Sequence, residues 1–163
     1  VRRLGLVVMA MHAQSQRDLN KQFELRQTKK RYVALVEGQV LVDHGVVDLP
    51  LLCDWPNRPK QMVHFGSGKP SLTYFRVLER NKHQTKVELT PVTGRSHQLR
   101  VHMLGLGMPL LHDKYYPVLQ SKTTLEFSQP LQLLAAELSF IDPVSGSPRQ
   151  FYSRRQLACW PAD

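Results

Sequence analysis

The most constraining feature of this 163-residue sequence is a pair of neighbouring segments with the composition of β-strands. Residues 85–90 alternate between the apolar Val87 and Leu89 and polar side chains, which places the apolar pair on one face of an extended chain. Residues 72–78 are also rich in strand formers, and residues 81–83 between the two segments favour a turn. The sequence therefore predicts an antiparallel hairpin, which the rest of the fold must extend or cover.

The remaining segments are assigned from the same kinds of pattern. Strands are predicted at residues 31–38, 46–49, 133–141 and 150–152, helices at 12–27 and 96–104, and loops at 53–70 and 109–130. Several antiparallel strands with few helices predict the α+β class, with a mixed, mainly antiparallel sheet and flanking helices. The length predicts a single domain over residues 1–163.

The charge balance indicates the kind of partner. There are 22 Lys and Arg against 13 Asp and Glu, a formal net charge of +9, which suits RNA, although a merely basic soluble protein has the same charge.

No apolar run approaches the ~20 residues of a membrane-spanning helix, so no membrane association is expected. The two cysteines, Cys53 and Cys159, form no CxxC pair. We therefore expect no disulfide framework and no zinc module, and the low cysteine content favours a cytoplasmic location.

The densest polar cluster is residues 93–102, which read Thr-Gly-Arg-Ser-His-Gln-Leu-Arg-Val-His. A strand is expected to run into a glycine turn and then into a helix whose first turn carries Arg95 and His97. Free backbone N–H groups at a helix start suit a phosphate or a carboxylate. His97 and Arg100 are three residues apart and should share a helix face. The alternative is an ordinary amphipathic helix with solvated arginines.

Two other groups of residues were considered as sites. Arg58 and Lys60 lie in a proline-containing loop with Trp55, and charge beside an aromatic surface is typical of nucleic-acid contacts. A solvated proline loop is the alternative for this segment. The histidines His97 and His102 are five apart and lack the i, i+4 spacing of a metal-binding helix, so no metal site is predicted. From the residues alone, no reaction can be named.

Three segments, taken together, resemble the RluA-type family of RNA pseudouridine synthases. Residues 30–38 are similar to the family's K-x-Y-x-A-x-V-x-G strand, and residues 93–102 are similar to its T-G-R-x-H-Q-L/I-R-x-H motif. Between them, residues 47–61 and 68–70 resemble the branch that modifies stem-loops of ribosomal and transfer RNA. The resemblance covers nearly the whole chain and keeps the order of the motifs.

The resemblance implies a fold and an activity. The expected fold is that of the pseudouridine synthase catalytic domain, N-terminally incomplete, and the expected reaction isomerises uridine to pseudouridine in a ribosomal or transfer RNA stem-loop. No cofactor is expected, because the reaction involves no redox change. The target uridine must be extruded into a pocket, at a cost of a few kcal/mol for unstacking. The expected partner is therefore RNA, with no metal and no membrane, and we expect a monomer.

The resemblance also implies roles for individual residues. Arg100 matches the arginine that partners the family's catalytic aspartate, and Tyr32 matches the tyrosine that packs against the target base. Arg3 matches the arginine beside that aspartate and is an expected RNA contact. The other candidates for RNA binding are Arg58, Lys60, Arg95 and His97.

The sequence departs from the family at the motif H-R-L-D-x-x-T-S-G-L, whose aspartate is catalytic. Arg3-Leu4 is followed directly by Gly5-Leu6, so D-x-x-T-S is missing. Either that segment is unrecorded in this chain or the protein has lost its nucleophile. We expect the chain as written to be inactive, with Arg100 lacking an anionic partner and the cleft acting as an anion site. The alternative function is that of a non-catalytic RNA-binding protein on the same fold. A smaller departure is His112-Asp113 where the family has G-D.

Overall fold

The computed structural model describes residues 4–117 and 129–160. Its elements are, in chain order, β1 (Leu4–Gly5), α1 (Ala13–Glu24), β2 (Lys29–Glu37), β3 (His44–Asp48), β4 (Leu51–Cys53), β5 (Gln61–Val63), β6 (Leu72–Arg80), β7 (Gln84–Pro91), α2 (Gln98–Gly105), β8 (Leu133–Ile141) and β9 (Pro148–Tyr152). A short 3-10 turn, Trp55–Asn57, lies between β4 and β5. No helix in these described ranges is long and apolar enough to cross a membrane.

Seven strands form one sheet in the order β1-β8-β2-β7-β6-β3, with β9 paired to β8. β1 and β9 follow one another along the same edge of β8, at Leu134–Ala135 and at residues 137–141 respectively. The β1–β8 pair is parallel, and the other pairs of this sheet are antiparallel. This confirms the predicted α+β class with a mixed, mainly antiparallel sheet.

The main core lies between this sheet and α2. Alternate residues of the central strands face α2, as the pattern of residues 85–90 predicts, because successive side chains of a strand point to opposite faces. The buried core residues here include Ala34, Val36, Phe75, Val87 and Leu89 of the sheet and Leu99 and Met103 of α2. The helix therefore sits against the faces of β2, β7 and β6, and its first turn lies near the ends of those strands.

The opposite face of the sheet is covered by the chain's C-terminal segment, where Leu157 packs on Leu35 and Leu134. α1 lies at the far end of β8. The side-chain amide of Gln22 donates to the carbonyl of Ile141 and accepts from its N–H, both at 2.8 Å, as a neighbouring strand would. This bidentate contact fixes the C-terminal half of α1 at the sheet.

The structure corrects several element boundaries. The strand at residues 133–141 is confirmed, but the predicted helix over 12–27 is limited to Ala13–Glu24. The prediction that residues 53–70 are loop is wrong in part, since β4 and β5 pair as a separate two-stranded sheet. Strands of three residues are too short to show a periodic pattern. Part of the loop predicted at 109–130 lies outside the described residues.

Candidate functional site

A cavity of about 660 Å³ opens between the end of α1, the start of β2 and the segment that joins β7 to α2. Residues from all three regions line it, together with the first residue of β8. The lining residues are Phe23, Glu24, Arg26, Lys30, Tyr32, Pro91, Thr93, Gly94, Arg95, His97, Gln98, Leu99, Arg100 and Leu133. The two motifs that carry the family resemblance, far apart in sequence, therefore meet at one cleft.

Gln98 holds the turn before α2 in place. It is buried, its amide oxygen accepts from the Thr93 hydroxyl (2.7 Å) and the Arg95 N–H (3.0 Å), and its amide nitrogen donates to the Leu72 carbonyl and the Thr73 hydroxyl, both at 2.9 Å. Four bonds satisfy both polar atoms of the side chain. The segment 93–95 is thereby tied to β6, which fixes one wall of the cleft.

His102 continues this network below the cleft. Its Nε2 lies 3.0 Å from the Leu49 carbonyl, which can only accept, so Nε2 carries the proton and Nδ1 accepts from the Thr73 hydroxyl at 2.9 Å. The ring is fully buried. Burial lowers the pKa of His102, against the opposing effects of the Leu49 carbonyl and Asp48, and so favours this neutral form.

Arg100 is a buried ion pair rather than a solvated arginine. Its Nε donates to Asp113 at 2.7 Å and its Nη2 donates to the other oxygen of the same carboxylate. Both side chains are almost completely buried, and Asp113 also accepts from the backbone N–H groups of Tyr115 and Tyr116. The expectation that Arg100 lacks an anionic partner is therefore wrong, and so is the reading of α2 as an ordinary amphipathic helix. Asp113 neutralises this guanidinium within the chain.

Two tyrosines complete the surroundings of Arg100. Its guanidinium carbon lies 4.8 Å from the ring centroid of Tyr115 and 5.1 Å from that of Tyr116. The Tyr116 hydroxyl accepts from the Gln61 N–H at 2.8 Å and lies 2.9 Å from Nδ1 of His97. Burial raises the pKa of Tyr116, so the phenol keeps its proton and can donate it to His97. Tyr116 thus links β5 to the cleft.

The structure brings four of the predicted site residues together. Tyr32, Arg95, His97 and Arg100 all line the cleft. However, α2 begins at Gln98, so Arg95 and His97 precede the helix instead of lying in its first turn. His97 has a left-handed backbone (φ 52°), which ends the turn and delays the helix by two residues. Arg3 lies outside the described residues.

Arg58 and Lys60 do not line the cleft. They lie in the loop between β4 and β5, where the Arg58 guanidinium carbon is 4.0 Å from the ring centroid of the exposed Trp55. Lys60 Nζ lies 5.5 Å from the centroid of Tyr116, beside a smaller cavity of about 240 Å³. These two residues therefore form a separate basic surface, joined to the cleft through Tyr116.

Two of the charged residues at the cleft, Arg26 and Lys30, have no individual role in the sequence-based prediction. Both line the cleft with Arg95, and Glu24 is the one acidic side chain among the described lining residues. Burial lowers the pKa of Lys30. The signal for Lys30 was present in the sequence, because it is two residues before Tyr32 on a strand and must share its face. The signal for Asp113 was its place in the family's G-D pair.

The junction where D-x-x-T-S is missing lies beside the cleft. Leu4 pairs with Leu134, the neighbour of the cleft-lining Leu133. Gly5 has φ +104°, and a Cβ there would lie 2.3 Å from the Ala135 carbonyl oxygen, so this position requires glycine. A segment inserted between Leu4 and Gly5 would therefore start at the edge of the cleft.

The described residues were also compared with the ligand groups that metal ions need. In the part of the chain that the structure describes, no group of three or more His, Cys, Asp or Glu side chains could hold a metal ion. Cys53 and Cys159 are both free thiols, and the sulfur of Cys159 lies 3.8 Å from Nδ1 of His112.

Comparison with known proteins agrees with the resemblance. A family model described as RNA pseudouridylate synthase matches residues 4–104. The chain is similar to the dual-specificity RNA pseudouridine synthase RluA of Yersinia pestis (45% identical over 148 residues, 90% of this chain and 70% of the relative). The proteins of the same name from Vibrio vulnificus (50%, covering 86% and 57%) and Escherichia coli K12 (46%, covering 90% and 66%) are also similar.

Two solved structures of human proteins are similar to this chain in fold. Human RNA Pseudouridylate Synthase Domain Containing 1 superposes with a TM-score of 0.72 at 26% identity, over 90% of this chain and 62% of the human one. Human RNA Pseudouridylate Synthase Domain Containing 4 superposes with a TM-score of 0.64 at 27% identity, over 90% and 64%. The chain thus spans about two thirds of the length of the proteins it matches.

Proposed function

Because the chain belongs to the RNA pseudouridylate synthase family, we propose that its cleft receives a uridine extruded from an RNA stem-loop and, with the aspartate segment present, isomerises it to pseudouridine. The observation that carries this proposal is the meeting of Tyr32 with Arg95, His97 and Arg100 at one cavity. A cleft of about 660 Å³ is within the usual range of small-molecule sites and has room for a nucleoside. The cations around it suit the phosphates that accompany the base.

The reaction defines which groups are needed. The bond between N1 of uracil and C1′ breaks, the base turns, C5 bonds to C1′, and the proton on C5 leaves while N1 gains one. A carboxylate supports the sugar while it is detached from the base. Glu24, the acid among the described lining residues, is exposed at the end of α1. Tyr32 offers a ring against the base and Arg100 a guanidinium, but neither replaces a carboxylate at the sugar.

Asp113 changes what Arg100 contributes. Two of its five N–H groups are bound by Asp113, which leaves three donors for a second acceptor. We therefore assign Arg100 an orienting role, in which Asp113 fixes the guanidinium and the remaining donors face the substrate or the restored aspartate. An arginine held by two hydrogen bonds to one carboxylate keeps a fixed orientation, whereas a solvated arginine samples many rotamers.

The proposal also specifies the RNA substrate, the oligomeric state and the cellular location. We propose stem-loops of ribosomal or transfer RNA as substrates, a monomeric state and a cytoplasmic location. The resemblance of residues 47–61 to the branch acting on such stem-loops supports the substrate, and the two free thiols fit a reducing compartment. Arg58 and Trp55 would then contact the RNA outside the cleft.

A tritium-release assay on a stem-loop containing 5-tritiated uridine tests the proposal with two proteins. One is the chain as given, and the other has Asp-x-x-Thr-Ser restored between Leu4 and Gly5 together with the family's N-terminal strands. We expect both to bind the RNA and only the restored protein to release tritium. Release by the chain as given would refute its expected inactivity, and failure of both to bind RNA would refute the proposed function.

The second candidate is a non-catalytic RNA-binding protein. It is favoured by the direct junction of Leu4 with Gly5, where the family has its aspartate. The same assay separates the two functions: RNA binding without release by the restored protein supports the binding protein, and release supports the enzyme.

A further inference from the structure

We propose that Lys30, which lines the cleft, binds a backbone phosphate of the nucleotide whose base Tyr32 receives. The proposal rests on the proposed function, since it assumes that RNA enters this cleft. The proposal assigns a ligand to Lys30, for which the net charge and composition of the chain predict no individual role.

The position of Lys30 follows from the alternation of β2. Lys30 and Tyr32 are two residues apart on one strand, face the same side of the sheet and both line the cavity. Residues at this spacing on a strand lie about 6.6–7 Å apart. The base and phosphate of a nucleotide are separated by one sugar, so a nucleotide whose base meets Tyr32 can bring a phosphate to Lys30.

The ammonium group of Lys30 has no anionic partner among the described residues. Within residues 4–117 and 129–160 it forms no ion pair or hydrogen bond, and the centroid of the Phe23 ring lies 5.7 Å from Nζ. Burial lowers its pKa, and no carboxylate opposes this effect. A half-buried cation of this kind costs folding free energy and gains most from an incoming anion.

Gly94 keeps this ammonium accessible from the cleft. A Cβ added at Gly94 would lie 3.4 Å from Nζ, in van der Waals contact with it. Any side chain longer than a methyl at this position would compete for the space beside the charge. Because Gln98 and Thr93 fix the turn on either side, the open space at Gly94 is a constant part of the cleft.

The charges around Lys30 favour phosphate over a neutral ligand. Arg26 and Arg95 are exposed at the same cavity, whereas Arg100 is already neutralised by Asp113. Two exposed cations and one half-buried cation form a positively charged surface, and Glu24 is the one acidic residue among the described lining residues. RNA supplies phosphates at every nucleotide, which fits several cations spread across one opening.

The test measures RNA binding by the full chain over a series of potassium chloride concentrations. The probe is a fluorescein-labelled RNA stem-loop with one uridine in its loop. We expect Lys30→Gln to weaken binding several-fold at low salt and to reduce the slope of log K against log salt by about 0.7, the value for one phosphate contact on single-stranded RNA. Lys30→Arg should restore the slope, because it keeps the charge.

Lys29→Gln is the matched control. Lys29 precedes Lys30 on the same strand and lies near Glu137 on the other side of the sheet, so the same charge is removed away from the cleft. We expect its slope to match that of the unchanged chain. A Lys29→Gln slope reduced as much as the Lys30→Gln slope would mean that net charge, and not a contact at Lys30, controls binding, and would overturn the proposal.

A second measurement changes the RNA instead of the protein. A methylphosphonate linkage, which is neutral, is placed in turn 5′ and 3′ of the uridine. We expect one of the two to weaken binding by the unchanged chain and to have no further effect on Lys30→Gln. Equal sensitivity of both proteins at each linkage overturns the phosphate assignment alone. Absence of stem-loop binding by the unchanged chain refutes the proposed function, and the assignment with it.

Discussion

The residues below the cleft and the residues along its opening differ in whether their polar groups have hydrogen-bond or ion-pair partners within the chain. Below the cleft, Gln98, Arg100 and His102 are buried and bound to groups of the chain itself. Along its opening, Arg26 and Arg95 are exposed, and Lys30 has no ion pair among the described residues. We therefore expect the residues beneath the cleft to contribute to stability and alignment, and those along the opening to contact a ligand. A single motif, residues 93–102, contributes to both.

This difference explains why a cluster of basic residues is not by itself a binding site. Arg95 and Arg100 look equivalent in the sequence, yet one faces solvent and the other is an internal ion pair. Substitutions below the cleft should therefore lower the free energy of unfolding, whereas substitutions of the exposed Arg26 and Arg95 along the opening should affect mainly RNA binding.

Asp113→Ala should have the largest effect. It leaves the Arg100 guanidinium buried without a counter-charge, which costs about 3–5 kcal/mol of unfolding free energy. Urea unfolding followed by circular dichroism measures the loss. The control is Asp43→Ala, whose exposed carboxylate pairs with Arg80 and should contribute less than about 1 kcal/mol. Equal losses for the two variants would contradict the assignment of Arg100 and Asp113 as a buried ion pair that the fold depends on.

Gln98→Leu should follow, because it removes all four hydrogen bonds of a buried side chain. We expect a loss of about 2–3 kcal/mol in the same unfolding measurement. Gln150→Leu is the matched control, since that exposed amide donates only to Glu137 and should change stability by less than about 0.5 kcal/mol. A Gln98→Leu variant as stable as Gln150→Leu would show that the turn does not depend on this side chain.

His102 should make stability depend on pH. Its pKa is lowered in the folded chain, so the unfolded chain takes up the proton first as pH falls below about 6.5. The contribution of the neutral ring is therefore complete above that value and is lost on acidification towards the folded-state pKa. We expect the unfolding free energy of the unchanged chain to fall more steeply from about pH 7.5 to 5.5 than that of His102→Gln. Parallel profiles would contradict the assignment of a buried neutral ring.

Arg95→Gln should have the smallest effect on stability. Its side chain is exposed at the opening, so the unfolding free energy should change by less than about 0.5 kcal/mol. Its salt slope for stem-loop binding should nevertheless fall by about 0.7, because one phosphate contact is lost. The matched control is Arg80→Gln, away from the cleft and paired with Asp43. A slope unchanged by Arg95→Gln but reduced by Arg80→Gln would place the RNA elsewhere.

The sequence predicted what short-range patterns determine. The alternation of residues 85–90 and the apolar run of 133–141 gave strands that the structure confirms. Helix α2 begins two residues later than predicted, because His97 has a left-handed backbone conformation that no sequence pattern indicates. The pairing of β4 with β5 was missed because three-residue strands have no period to detect.

The site was predictable to the extent that two short motifs, residues 30–38 and 93–102, carry it. The resemblance identified Tyr32 and Arg100, which the structure places at one cleft, although their roles remain predictions. It did not reveal that Asp113 binds Arg100, because that contact joins residues 13 apart through the fold. The K-x-Y pattern includes Lys30 but does not show that its ammonium group lies beside Gly94, because that proximity depends on how β2 packs against the segment before α2.

Photo-crosslinking of a stem-loop with 5-iodouridine in its loop tests the central claim most directly. Under the proposed function, an extruded uridine in the cleft would lie against Tyr32, whereas a uridine bound at the separate basic loop would lie against the exposed Trp55. Mass spectrometry of the digested complex identifies the crosslinked residue. The account predicts a crosslink at Tyr32 that disappears in Tyr32→Leu. A crosslink confined to Trp55, with Tyr32 unmodified, would contradict it.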